Sequence, residues 1–141
     1  NNEALTADEL HGYELFKANN CATCHVGANL GGESYELMGL RQHYFEARGT
    51  ELTEEDNGRY KQTKEERDRH RFKVPGLRNI ELTWPYYHDG TRATMEEAVR
   101  DMALYQCDVE LTDAEVASIV AFMRTLTGEY QGQKLTSDNR Q

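Results

Sequence analysis

Residues 19 to 30 read Asn-Asn-Cys-Ala-Thr-Cys-His-Val-Gly-Ala-Asn-Leu, and the Cys21-x-x-Cys24-His25 spacing within them constrains the chain more than any other feature. Two thiols separated by two residues, with an imidazole directly after the second, form the pattern that carries covalently attached haem c. Three other chemistries compete for these residues. A structural zinc site needs four ligands, and no second C-x-x-C or H-x-x-x-H completes the set. A redox-active dithiol sits at a strand-to-helix junction of an α/β fold, and no such pattern surrounds Cys21. A structural disulfide across two residues would leave His25 without a role. Haem accounts for all three residues, because each thiol adds to a vinyl group and the imidazole is thereby delivered under the iron. An open sixth position would then make an enzyme or sensor, and a filled one an electron carrier.

Three capping boxes mark helices around this motif. Thr6-Ala7-Asp8-Glu9 predicts a helix to about Ala18, Thr94-Met95-Glu96-Glu97 a second to about Tyr105, and Thr112-Asp113-Ala114-Glu115 a third to about Thr127. The second carries Met95, Ala98, Val99 and Met102 at helical spacing, and the third Val116, Ile119, Val120, Met123 and Leu126. Gly128 is read as the stop of the third helix. A helix into the motif, a glycine-rich loop from Gly27 to Gly39 and a helix at the end are the element order of a small cytochrome c. In such a fold the first and last helices cross closely. Gly12 permits that approach with Phe16 and Phe122 filling the crossing; the alternative is a merely tolerated helix glycine. The fold class is therefore all-α, with helices around one covalently bound haem and long loops.

The remaining chain reads as irregular. Glu51 to Lys73 is dense in charge and is expected to be a solvated loop with at most one short helix. Val74-Pro75-Gly76 and Trp84-Pro85 read as extended or turn elements, and no alternating strand pattern is present. Residues 1–130 are expected to form one monohaem domain, and 131–141 a polar, loosely held tail. Cys107 has two readings: a half-buried small residue after a helix, or a free thiol able to cross-link two chains.

The formal charge of −9 excludes a nucleic-acid binder, which needs a basic face, and favours encounter with a basic redox partner. The most apolar stretch, Val116 to Leu126, is too short and too polar to span a membrane. The sequence opens at Asn1 without a signal-peptide pattern and is read as a mature or trimmed product. Haem c attachment takes place outside the bacterial cytoplasm, so a periplasmic location is expected.

The sixth iron ligand is the open question within the residues alone. Candidates are Met38, Met95, Met102 and Met123, with His11, His43, His70 and His88. Met123 lies on the core stripe, Met95 directly follows a cap, and Met38 is too near His25 in sequence to reach the opposite face easily. Met102 and His88 remain. By periodicity Met102 serves equally as a core methionine, and His88 as a hydrogen-bonded turn residue.

The stretch Phe72 to Gly90, FKVPGLRNIELTWPYYHDG, closely resembles the bacterial dihaem cytochrome c peroxidases, a family that includes the maturation enzyme of methylamine dehydrogenase. CATCHVGANLGG, TMEEAVRDM and IVAFMRTLTG continue the likeness from about Thr6 to Glu129. The chain resembles the C-terminal, electron-accepting haem domain of such an enzyme. The resemblance implies Met102 as sixth ligand; in the maturation enzyme a tyrosine takes that place. It further implies Arg78 beside a haem propionate, and the backbone carbonyls of Thr83 and Pro85 at a calcium ion between domains. One departure is plain: the family has two C-x-x-C-H motifs, and this sequence has one.

These readings together predict one-electron transfer through a His25/Met102-ligated haem. The alternative is the electron-accepting portion of a dihaem peroxidase, functioning with a peroxidatic haem domain. A third reading is a five-coordinate haem that binds a small molecule. Trp84 is expected against a domain face or on an electron route. Tyr86 and Tyr87 are expected at the haem edge or at an apolar patch that favours a homodimer.

Overall fold

The computed structural model describes residues 4–137. Residues 138–141 of the expected tail, and Asn1, lie outside the described residues. Six α-helices occur among those described: α1 (Ala7–Ala18), α2 (Cys21–Cys24), α3 (Tyr44–Arg48), α4 (Tyr60–Thr63), α5 (Met95–Cys107) and α6 (Asp113–Arg124). All three sequence-read capping boxes are formed. Thr6, Thr94 and Thr112 each accept from the backbone N–H of the glutamate three residues on, which reaches back to the cap N–H. These caps define the starts of α1, α5 and α6 because each satisfies two otherwise orphaned donors.

The ends differ from expectation. Helix α5 runs to Cys107, and α6 stops at Arg124 rather than near Thr127. Gly128 is not the stop. The chain curls on through Leu126 N–H to Met123 O and Thr127 N–H to Arg124 O, and the Gly128 N–H donates to Asn79 Oδ1 at 2.8 Å. Gly128 thereby ties the end of α6 to the loop before α5.

Two small antiparallel sheets complement the helices. Strand β1 (Tyr35–Leu37) pairs with β2 (Arg71–Lys73), Tyr35 opposite Lys73 and Leu37 opposite Arg71. Strands β3 (Glu129–Tyr130) and β4 (Gln133–Lys134) form a hairpin, so the expected tail is held at its start. Elements of two or three residues show no period for a sequence pattern to reveal.

Helices α1 and α6 make the largest contact between elements. A Cβ on Gly12 would stand 1.8 Å from the Ser118 carbonyl oxygen, so the two backbones touch where α1 has no side chain. Phe16 and Phe122 pack at 5.6 Å between ring centroids, and Tyr13 meets Phe122 at 5.2 Å. Val116, Ile119 and Val120 from α6 and Val99 and Ala103 from α5 extend this core.

The charged stretch from 51 to 73 departs most from its reading as a solvated loop. It holds α4, two single 3-10 turns and β2, and Asp56 within it is 0% exposed. Arg48, at the end of α3, donates from Nη1 to Asp56 Oδ1 at 2.8 Å and from Nη2 to Oδ2 at 2.6 Å. The same Nη1 reaches Asp89 Oδ2 at 2.9 Å. Thr53 N–H and His88 Nε2 complete the shell of Asp56, each at 2.7 Å. His88 also stacks on Phe72 at 4.2 Å. This cluster fastens the 88–90 turn to the 48–56 segment. The paired guanidinium, by hydrogen bond and charge, holds the Asp56 carboxyl well below its usual range, outweighing the cost of burial.

Gly12→Ala is expected to lower the unfolding free energy by about 2–3 kcal/mol, because Ser118 backbone must retreat; urea denaturation measures it. Asp56→Asn is expected to cost about 3 kcal/mol, since it leaves Arg48 without its main buried partner. A carboxyl whose folded pKa is depressed stabilises above its unfolded value, about 3.9, and that stabilisation is lost as pH falls. Wild-type stability should therefore drop below about pH 4, and the Asp56→Asn profile should be flatter there.

Candidate functional site

Helix α1 delivers the Cys21-x-x-Cys24-His25 motif. The chain leaves it at Asn19, whose N–H and Nδ2 both bond Leu15 O, and turns through Asn20 at φ 63°. Asparagine tolerates this left-handed conformation better than most residues. The next four residues form α2, a single turn, and the His25 N–H closes it on Cys21 O at 3.1 Å. A three-residue separation on one helical turn sets both thiols on the same side. Both are half-buried, and neither is in a disulfide.

The His25 ring is fixed before any metal need be considered. Its Nδ1 lies 3.0 Å from Leu30 O, the Pro75 carbonyl hydrogen-bonds the ring as well, and Phe16 sits 6.2 Å away, centroid to centroid. Burial lowers its pKa, partly offset by those two carbonyls, which favours the neutral, metal-binding form. An Nδ1–H committed to a carbonyl leaves the Nε2 lone pair as the ligand. The carbonyls are in place because the loop after the motif lies directly on 74–77. Gly32 N–H bonds Val74 O, Leu77 N–H bonds Asn29 O, and a Cβ on Gly31, at φ 134°, would meet Pro75 O at 2.1 Å.

The candidate sixth ligands separate by environment. Met95 and Met123 are buried in the core. His88 hydrogen-bonds Asp56 Oδ1, and His70 Nδ1 lies 2.6 Å from Asp56 O, so both are engaged away from the motif. His11 and His43 are exposed. Met102, in the middle of α5, is half-buried, whereas its neighbours Val99 and Ala103 on the core side are buried. Met38 is also half-buried, and its N–H bonds His70 O.

Arg78 directs its Nε to Ala28 O at 2.7 Å, in the loop three residues after His25, and forms no ion pair among the described residues. Its Nη groups thus remain available to an anionic group at that loop. Thr83 and Pro85 are exposed, on either side of Trp84, with Thr83 Oγ1 turned to Ile80 O. The side-chain group suited to a cation among the described residues is Asp56, His88 and Asp89, and Arg48 already bridges its two carboxylates. Trp84 is 55% exposed. Tyr86 is buried with its hydroxyl donating to Ile80 O, and Tyr87 donates to Ala98 O at 2.9 Å. The expected aromatic patch is therefore reduced to Trp84, because the two tyrosines anchor the turn to α5 and the core.

One neighbour was missed from the sequence. The Cys107 thiol, at the end of α5, neighbours the Cys21 thiol electrostatically, while Cys21 Sγ lies 3.9 Å from Asn19 O. That influence lowers Cys107 to about 7, with burial opposing and Arg41 assisting, and it raises Cys21. No local pattern could have paired two residues so far apart in the chain.

The family model described as cytochrome c matches residues 10–127. The chain is 50% identical over 127 residues to the cytochrome c peroxidase Ccp of Escherichia coli, covering 90% of this chain and 27% of that protein. It is 48% identical over 132 residues to the cytochrome c551 peroxidase of Nitrosomonas europaea, covering 94% of this chain and 38% of that one. Among solved structures, a MauG-like protein associated with microbial copper homeostasis superposes with a TM-score of 0.69 at 28% identity, over 89% of this chain and 48% of that chain. The chain thus spans well under half the length of the curated peroxidases it matches.

Proposed function

The chain belongs to the cytochrome c family, and from that premise we propose that it carries one haem c on Cys21 and Cys24, with His25 and Met102 as axial ligands, and passes single electrons. The observation that supports this most is the fixed His25 ring: Leu30 O beside Nδ1 leaves Nε2 as the donor, while the half-buried His70 and His88 are committed to Asp56. Donor chemistry fits the group, since two half-buried free thiols, a neutral imidazole and a half-buried thioether are the set that a haem c centre requires. When bound, the haem supplies a one-electron ferric/ferrous couple.

The residues of the chain then have distinct tasks. Cys21 and Cys24 hold the group covalently and keep it from being lost. Leu30 O orients the imidazole and raises its basicity. Met102 would hold the iron through its thioether, which would favour the ferrous form, raise the potential and deny small oxidants a place to bind. Arg78, whose Nε is held by Ala28 O, would pair with a propionate. The net charge of −9 steers the molecule towards a basic partner in a small, short-lived contact. An extracytoplasmic, periplasmic setting follows from the attachment chemistry; among the described residues no helix is long and apolar enough to cross a membrane.

Similarity to peroxidases of greater length favours a second reading: the chain is the electron-accepting portion of a larger peroxidase, and peroxide reduction needs a peroxidatic haem domain beside it. Trp84, exposed here, is the natural surface for that neighbour. A calcium ion at the carbonyls of Thr83 and Pro85 belongs to this second reading alone, since further oxygen donors would have to come from the neighbouring domain.

Two measurements test the axial assignment and one the encounter. The ferric protein should show the weak far-red charge-transfer band of methionine-ligated haem, and Met102→His should abolish it. The ferrous wild type should bind carbon monoxide slowly, and Met102→Ala rapidly; rapid binding by the wild type would overturn the assignment. Electron exchange with a basic partner protein should slow as salt rises, because screening weakens the encounter. Stoichiometric peroxide reduction on adding a peroxidatic haem module, and none without it, would favour the second reading.

A further inference from the structure

The charge of the chain is unevenly spread. Residues 59–73 hold seven Lys and Arg against three Asp and Glu, within a molecule whose formal net charge is −9. Three of these arginines, Arg59, Arg67 and Arg71, line one open cleft of about 420 Å³ together with Tyr35 and Asp68. They arrive from three places: Arg59 directly precedes α4, Arg67 sits in the 3-10 turn Glu66–Asp68, and Arg71 opens β2. Backbone contacts fix them relative to one another. Arg59 N–H bonds Arg71 O at 2.7 Å, and a Cβ on Gly58, at φ 55°, would meet that same oxygen at 2.4 Å.

The way each guanidinium is held leaves its forked end open. Arg71 is oriented by carbonyls: Nε donates to Arg67 O at 2.9 Å and Nη1 to Tyr35 O at 3.3 Å. Its ion-pair partner, Glu36, stands at 3.8 Å, beyond hydrogen-bond reach. Arg59 lies over the Tyr35 ring at 4.5 Å and approaches Asp68 through Nε at 3.2 Å. Arg67 meets Glu65 through Nε at 2.7 Å, and both side chains are exposed, so that pair contributes little in water. Among the described residues, no Nη of Arg59 or Arg67, and not Nη2 of Arg71, donates a hydrogen bond. These Nη groups are the ones that grip an oxyanion by two points at once.

We propose that this cleft binds a small, doubly charged oxyanion of the phosphate class, with Arg71 as the fixed donor and Arg59 and Arg67 as further donors. Three guanidinium charges meet one carboxylate, Asp68, within the lining, and a dianion balances the excess of two. A halide has the wrong charge and cannot accept from several forks in directed geometry. Bound there, the anion ties β2 to the segment before α4 and stabilises the folded chain by mass action.

The test is an amide-resolved NMR titration of the full haem-loaded, reduced chain with sodium phosphate slightly above neutral pH, sodium chloride holding the ionic strength constant. Saturable shifts should centre on Arg59, Arg67 and Arg71, sulfate should compete for the same residues, and the melting temperature should rise with phosphate. Arg71→Gln and Arg67→Gln should each weaken phosphate binding roughly fivefold or more, and the already exposed Arg67 keeps the test independent of any loss of folding in the Arg71 variant. Arg124→Gln and Arg78→Gln, both outside the cleft, should leave the affinity unchanged. Shifts that grow without saturation, an equal response to chloride, unchanged affinity in Arg67→Gln, or binding lost on replacing Arg78 would each overturn the inference.

Discussion

The contact between Gly12 and Ser118 is the constraint from which the site is built. A helix pair packed through side chains would hold its axes further apart, and here one backbone touches the other where a Cβ would overlap a carbonyl oxygen. That approach brings Phe16 into the crossing, and the same ring that meets Phe122 at 5.6 Å also flanks the His25 imidazole at 6.2 Å. The core thus extends without a break into the wall behind the His25 imidazole. The attachment motif begins within three residues of the end of α1, too short a link to move independently of the crossing.

The turn before α5 is held by different physics. Helix α5, which carries Met102, receives the Tyr87 hydroxyl at Ala98 O, and Arg100 ties it to Leu111 O and to Asp113 at the start of α6. The turn leading into it is fastened by the Arg48 guanidinium between Asp56 and Asp89. Buried ion pairs contribute little net stability relative to an apolar core, but breaking one is costly and they fix register well. An apolar crossing therefore sets the His25 side, and a charged staple sets the turn that leads into α5. A redox centre gains from such rigidity, because a coordination sphere that does not rearrange keeps the barrier to electron exchange low.

What could be read in the sequence divides along the same line. The capping boxes, the helical stripe of α6 and the meaning of Gly12 were legible because each is a local signal, complete within a few residues of chain. The attachment motif was legible because its spacing is itself the chemistry. Asp56 was not: its burial depends on Arg48, His88 and Thr53 from three segments, and a charge pattern on its own stretch only suggested solvent. The α6 stop was misplaced because Gly128 serves a tertiary contact with Asn79 rather than a cap. The influence of Cys107 on Cys21 was invisible for the same reason, since the two residues lie far apart in the chain. His88 was legible as a hydrogen-bonded turn residue, but its partner was not.

The most direct test of the central claim is X-ray absorption at the iron edge of the ferric full chain, alongside the Met102→Ala variant. His25/Met102 ligation predicts one sulfur at bonding distance among otherwise nitrogen neighbours, and its loss in the variant. A first shell of nitrogen and oxygen only in the wild type, or a sulfur that persists when Met102 is gone, would contradict it.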